Sequence, residues 1–238
     1  MKRLDEAIKE LQRGRPILVY DSDGREEETD IVVAAEHMTP DYVRMLRRDG
    51  GGLLCLALHP DIAESLGLPF LTDVWKEASA KFPVFTALWP NDIPYDEKSA
   101  FSITINHRKT FTGISDFDRT LTITELAGLG RKALNGGLDP GEFGSTFRSP
   151  GHIILLRASE GLLKRRKGHT ELSVSLMEMA GLTPMAAICE MLGENHESLD
   201  IEGAKAFAKK HSLVFIEGRE TIEWFLENKK IAVPAKSS

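Results

Sequence analysis

Along the first dozen positions, Leu4, Ile8 and Leu11 fall at i, i+4 and i+7, which places them on one face of an opening helix. Gly14 closes that helix and Pro16 prevents its resumption. The apolar run PILVYD predicts a strand leading into the acidic stretch DSDGREEETD, and IVVAAEHM predicts a second strand. Thr39-Pro40-Asp41 combines a capping hydroxyl, a proline for the first helical position and an acid for the first turn, so a helix is expected there. GLLCLAL shows no alternation and predicts a strand covered on both faces.

Periodicity fails over residues 72 to 99, where prolines and scattered aromatics lead us to expect an irregular, insert-like segment. FSITIN resumes as an alternating strand, and the capping-box spacing of Thr122 and Glu125 predicts a helix running to about Leu134. Residues 135 to 151, rich in glycine and proline, form a second expected irregular segment before the strand HIILLRA. HTELSVSLMEMAG predicts a helix with Leu172, Leu176 and Met179 inward and Gly181 at its end. MAAICEML, LVFIEG and a last helix around Ile222 to Leu226 complete the chain, with no internal repeat. Strands and helices mix without strict βαβ alternation, so the expected fold is α+β: one domain over residues 1–238, layered α/β/α around a mixed sheet.

Composition narrows the function classes. A chain of 238 residues, 42% hydrophobic and 28% charged, can bury a sizeable core. Its net charge of −6 repels nucleic acid overall, so a phosphate-bearing ligand needs a local basic pocket. Cys55 and Cys189 form no CxxC, which argues against a zinc ribbon or disulfide scaffold and for a reducing compartment. The charged amphipathic N-terminus is no signal peptide, and no apolar run approaches the roughly 18 residues of a membrane span. A cytoplasmic protein without membrane or nucleic-acid partners is expected.

Three places could carry chemistry. Asp21 to Asp30 packs six acids and one arginine into ten residues. Such carboxylates repel one another unless a divalent cation takes their oxygens; otherwise the stretch is a solvated turn. An EF-hand is excluded, because no glycine stands at the sixth loop position and no glutamate at the twelfth. Lys164 to Glu171 brings four basic residues to a glycine and a helix start, where free N–H groups and the helix dipole suit a phosphate. There His169 could offer a nitrogen to a metal, or Thr170 is simply a cap and the basic run is surface. Glu190, inside an apolar stretch, is either a buried carboxyl poised for proton transfer or a residue turned to solvent by strand alternation. His152 is an edge residue or a catalyst. Cys55 reads as core packing beside the flexible Gly50-Gly51-Gly52 turn, and Thr112 to Ser115 as hydroxyl contacts or an ordinary turn. No P-loop, GxGxxG, HExxH or GxSxG motif occurs.

Taken in order, DSDGREEETD, GGGLLCL, TGISDFDR, SPGH, GHTE and the glutamate of CEML resemble the 3,4-dihydroxy-2-butanone 4-phosphate synthase family. The spacings of 17 between His152 and His169 and of 21 between His169 and Glu190 resemble it too. The likeness runs from the first helix to the last, is to the archaeal, monofunctional form, and leaves no room for the cyclohydrolase often fused to it. It implies a magnesium-dependent lyase of riboflavin biosynthesis, converting D-ribulose 5-phosphate to L-3,4-dihydroxybutan-2-one 4-phosphate and formate. It further implies two Mg²⁺ ions per site, or Mn²⁺, and a homodimer with its sites near the subunit interface. By resemblance Glu26 and His169 hold metal, Arg25 and Glu26 contact substrate, and Asp30 takes its hydroxyls. Arg166, Lys167, Gly168, His169 and Thr170 take the phosphate and its neighbours, Glu190 also meets the substrate, and His152 and Glu190 are essential to catalysis. Glu27 and Thr29 stand where the family more often has asparagine and glycine, and Arg148 is displaced by one position from the family's basic residue. Rival readings are a metal-dependent pentose-phosphate isomerase, which releases no formate, an RNA-binding module of related fold, and a plain metal or anion binder.

Overall fold

The computed structural model describes residues 2–88 and 92–228. Its elements run α1 (Lys2–Gln12), β1 (Ile17–Tyr20), β2 (Thr29–Ala34), α2 (Pro40–Asp49), β3 (Cys55–Leu58), α3 (Pro60–Ser65), α4 (Leu71–Ala78) and α5 (Val84–Leu88). They continue with β4 (Phe101–His107), α6 (Asp116–Leu134), α7 (Glu142–Thr146), β5 (Phe147–Arg157), α8 (His169–Met179), β6 (Met185–Glu190), α9 (Ile201–His211), β7 (Val214–Glu217) and α10 (Gly218–Asn228). The strands form one seven-stranded sheet in the order β4-β5-β3-β6-β2-β1-β7. β1 with β7 and β3 with β5 run parallel and the other pairs antiparallel, so the sheet is mixed as expected.

Successive strand residues face opposite sides of a sheet, and here both sides are covered. Leu18, Ile31, Val33, Leu56, Leu58 and Ala187 join the core beneath α2, α3, α6 and α9. Ile17, Val19, Val32, Cys55, Ala57 and Ile188 join the core beneath α1, α8 and α10. Two covered faces explain why β3 reads as an unbroken apolar run. They also give the layered α/β/α arrangement, in which each fully buried leucine or isoleucine contributes about 1.5–3 kcal/mol of transfer free energy. Cys55 and Cys189 are buried and unpaired within these cores. Among the described residues no helix is long and apolar enough to cross a membrane.

Four local expectations are corrected. The segment 72 to 99, of which 89–91 lie outside the described residues, is partly helical, in α4 and α5; Trp75 stacks on Phe85, so short-range aromatic packing does what apolar periodicity does elsewhere. The second irregular segment contains α7, and β5 begins at Phe147, ahead of His152. α6 starts six residues before Thr122, because the Ser115 hydroxyl caps the Asp118 N–H at 3.0 Å. Thr122 instead donates to the Asp118 carbonyl and accepts from the His107 N–H at 3.0 Å, tying α6 to β4. α9 falls where no element was expected, since its buried apolar residues are the small Ala204 and Ala208.

Two features of this scaffold set up the site. β1 and β6 end, and β2 begins, at one edge of the sheet, where Asp30 pairs with Glu190. Further along that edge β5 crosses β4 so closely that a Cβ on Gly151 would overlap the Ile105 carbonyl. Glycine there lets the next residue, His152, place its N–H 2.8 Å from the Asn106 side-chain oxygen.

Candidate active site

Asp21 follows the last residue of β1 and is buried, and its carboxylate shapes the acidic loop. One oxygen accepts the Glu28 N–H at 3.2 Å and the other the Glu26 N–H at 3.0 Å. Gly24 and Glu27 take left-handed backbone angles (φ 78° and 59°), so the loop folds back on itself. The stretch is therefore an ordered wall with Glu26 and Asp30 turned inward, and the solvated-turn reading fails.

His169, the first residue of α8, sits 5% exposed against this wall. Its Nε2 lies 3.2 Å from the Val19 carbonyl, an acceptor only, so Nε2–H donates there and Nδ1 faces Glu26 Oε2 at 3.1 Å. Asp30 Oδ1 lies 3.6 Å from Nε2, and neither Asp30 oxygen has a hydrogen-bond partner although the residue is 1% exposed. Burial pushes the Asp30 carboxyl up to about 8. Burial alone would lower the His169 pKa, but the charges of Asp30, Glu26 and Asp21 outweigh it and raise the group to about 9. Burial opposes Glu26 ionisation, yet the His169 hydrogen bond and the nearby positive charges hold its carboxyl down to about 2. Glu190 is half-buried, and desolvation followed by the charge of Glu28 shifts its pKa upward.

Two arginines close the opposite side. Arg166 donates to Glu171 at 2.6 Å, and Glu171 is wholly buried, where it also accepts the Ser159 N–H at 2.8 Å. Arg25 pairs with Glu26 at 2.9 Å and with Asp21 at 3.3 Å. Both guanidiniums also hold Asp96, at 2.9 Å from Arg25 and 2.5 Å from Arg166. Gly168 packs under them so tightly that any Cβ would strike both guanidinium groups. A cavity of about 150 Å³ results, lined by Glu26, Asp30, Tyr95, Arg166, His169, Thr170 and Glu190 among others.

Asp21, Glu26 and His169 each offer a ligand atom, all within 4.8 Å of one another. Carboxylate oxygens with one imidazole suit Mg²⁺ or Mn²⁺, and the two orphaned Asp30 oxygens beside them need a cation or a hydroxyl donor, so the residues fit a divalent ion. Anionic donors next to an arginine-lined helix start are chemically suited to a phosphorylated, hydroxyl-bearing small molecule.

Of the residues singled out in the sequence, Glu26, Asp30, Arg166, His169, Thr170 and Glu190 line this one cavity, with Arg25 and Gly168 bonded or packed behind it. Lys167 is exposed and lines no part of it. His152 is likewise exposed on β5, held by Asn106, and stands outside the cavity of its own chain. Asp21, Tyr95, Asp96 and Glu171 had not been given roles; Glu171 within GHTE was visible in the motif, whereas Asp96 carries no local signal.

Comparison with known proteins places the chain in a family. The family model for 3,4-dihydroxy-2-butanone 4-phosphate synthase matches residues 5–224. A protein of that name from Methanothermobacter thermautotrophicus is 52% identical over 225 residues, 94% of this chain and 96% of its own. The solved structure of the Candida albicans synthase superposes with a TM-score of 0.71 at 31% identity, covering 93% of this chain and 96% of that one. Another synthase, solved with two magnesium ions, gives 0.74 at 27% identity, covering 95% and 97%. The chain belongs to the 3,4-dihydroxy-2-butanone 4-phosphate synthase family. It is a lyase of riboflavin biosynthesis, converting D-ribulose 5-phosphate to L-3,4-dihydroxybutan-2-one 4-phosphate and formate.

The charge pattern predicts how the metal-free protein responds to pH. Asp30, raised above its unfolded value of 3.8, gives stability that is lost as pH climbs through about 8. His169, raised above 6.5, gives stability that is lost as pH climbs through about 9. Both act in one direction, so in chelator the melting temperature is expected to fall between pH 6.5 and 9, by about 2–4 °C per kcal/mol. Mg²⁺ should widen its stabilisation over the same window, because a ligating histidine must be neutral. A melting temperature that stays flat or rises in chelator contradicts these assignments.

Proposed function

We propose that the reaction is magnesium-dependent, with Mn²⁺ able to substitute, and that Glu26 and His169, supported by Asp21, hold the ions. The observation that carries this is the His169 Nδ1 facing Glu26 at 3.1 Å while Nε2–H is fixed on the Val19 carbonyl. That hydrogen bond orients the ring so that its other nitrogen, Nδ1, points into the carboxylate cluster. A bound divalent ion polarises the sugar carbonyl and stabilises the enediolate formed next to it. The presence of two magnesium ions in a related synthase structure supports a pair per site.

The chain's own groups do the rest. Arg166, Gly168 and Thr170 at the start of α8 take the phosphate, with the helix N–H groups directed at it; the neighbouring Lys167, exposed to solvent, adds positive charge to that stretch. Arg25 and Glu26 bracket the sugar, and the uncommitted Asp30 oxygens accept its hydroxyls. Glu190, its pKa raised by burial, serves as a proton-exchanging group beside the sugar. The acidic loop excludes water from the enediolate.

His152 acts in our reading across a contact between two copies of this chain, since it is exposed and outside its own cavity. Phe111 and Ile114 stand 95% and 52% exposed on the loop that covers Asn106, the residue holding His152, and Phe117, 76% exposed, follows in the first turn of α6. Such a patch wants an apolar partner, and a homodimer whose sites lie near the interface supplies one. Residues 1–238 then act as a single catalytic domain, and the unpaired thiols Cys55 and Cys189 fit a reducing cytoplasm.

Formate release from carbon-13-labelled D-ribulose 5-phosphate, followed by NMR, tests the metal assignment. Glu26→Ala and His169→Ala are expected to lower metal-dependent release by at least ~10²-fold. Arg166→Ala should chiefly raise KM, by about 10-fold or more. Normal turnover by the Glu26 and His169 variants at limiting Mg²⁺ would sink the assignment. A five-carbon sugar product without formate would instead mark an isomerase, and binding without turnover a simple metal or anion binder. For the dimer, sedimentation should show wild type at twice the chain mass and Phe117→Asp at the monomer mass with reduced turnover. A fully active wild-type monomer would refute the shared site.

A further inference from the structure

The substrate cavity, as it stands, is too small and its anion site is already filled. At about 150 Å³ it falls below the roughly 300–1,000 Å³ usual for small-molecule sites. Directly beyond it lies a second cavity of about 540 Å³, lined by Thr72, Asp73, Lys98, Ser159 and Arg165. Asp96 and Arg166 line both cavities, so their ion pair is the partition between them.

The two sides of the partition are anchored differently. Arg166 is anchored from behind by Glu171, a buried residue of α8 that also accepts a backbone N–H. Arg25 is anchored by Asp21, whose oxygens accept two further backbone N–H groups. Asp96 reaches these arginines from a stretch without regular secondary structure, residues 92 to 99, between α5 and β4. One of its oxygens bridges both guanidiniums and the other accepts the N–H of its neighbour Glu97 at 2.9 Å. Tyr95, 44% exposed, lies with its ring 5.6 Å from the same Arg25 guanidinium. A carboxylate oxygen shared by two arginines is in charge and geometry a stand-in for a phosphate oxygen.

We propose that Asp96 is the built-in counter-anion of the Arg25–Arg166 pair, and that substrate phosphate displaces it, opening the partition so that the two cavities become one. Rested on the phosphate-binding role of Arg166, this makes Asp96 a positioning residue. Without substrate it adds one shared counter-charge to two largely buried guanidiniums that Glu171, Asp21 and Glu26 already anchor. With substrate it competes, setting the affinity for the phosphate below what the arginines alone would give. The 92 to 99 stretch swings with it, taking Tyr95 off Arg25 and making room for the five-carbon sugar.

The test is calorimetric titration of inorganic phosphate into the full chain at fixed Mg²⁺, comparing wild type, Asp96→Asn, Asp96→Ser and Arg166→Ala. Both Asp96 variants should bind phosphate about 3- to 10-fold more tightly, because a competing negative charge is gone. KM for D-ribulose 5-phosphate should fall in the same proportion. Arg166→Ala should bind phosphate at least ~10-fold more weakly. Unchanged or weaker phosphate binding by folded Asp96 variants, with Arg166→Ala still impaired, would overturn the displacement and leave the anion site intact. Phosphate binding indifferent to Arg166→Ala would overturn the anion site itself, and the displacement with it.

Discussion

The buried imidazole of His169 stands among Glu26, Asp30 and Asp21 where little water can reach, and the surrounding structure follows from the need to compensate those charges. Ionised carboxylates so close together in a low-dielectric space are costly unless a cation is shared among them. In the protein alone the imidazolium and Arg25 supply that charge, Asp30 keeps its proton, and Glu26 stays ionised against His169. A divalent ion would do the same work more strongly and leave the imidazole neutral. The proposed metal site and the pKa pattern are thus two descriptions of one electrostatic constraint.

The sheet exists, functionally, to hold that cluster at one edge. β1 ends just before Asp21, β2 starts beside Asp30, β6 ends on Glu190, and α8 begins on His169. Pairing of Asp30 with Glu190 fixes two of these groups by backbone register alone. The glycine before His169 leaves room for the two guanidiniums packed on it, so the arginine pair and the carboxylate cluster meet across a single residue. Buried Glu171 then serves the arginine side as Asp21 serves the acidic side, each spending backbone hydrogen bonds to keep a charged partner aimed inward.

Legibility from the chain differed by the kind of signal each element carries. β1, β3 and β6 were readable because both faces are covered and their residues are apolar throughout. α4 and α5 were not, because short helices braced by Trp75 and Phe85 leave no apolar stripe. The Thr122–Glu125 spacing mimicked a helix start while Ser115 made the real one, and nothing local distinguishes the two until β4 claims the Thr122 hydroxyl. At the site, Glu26, His169, Arg166 and Glu190 came from motifs in a familiar order, and the structure gathers them around one cavity. Asp96 escaped because it meets Arg25 from 71 positions away. Asp21 was one acid among six until the folded loop showed its carboxylate underpinning the others.

Diffraction at the manganese absorption edge from crystals equilibrated with Mn²⁺ tests the central claim most directly. The account predicts an anomalous peak within coordination distance of both a Glu26 oxygen and His169 Nδ1, with Nε2 still on the Val19 carbonyl. A peak placed elsewhere, or none at saturating Mn²⁺, would mean that the carboxylate cluster is compensated by protein cations alone and that the metal chemistry assigned to it is wrong.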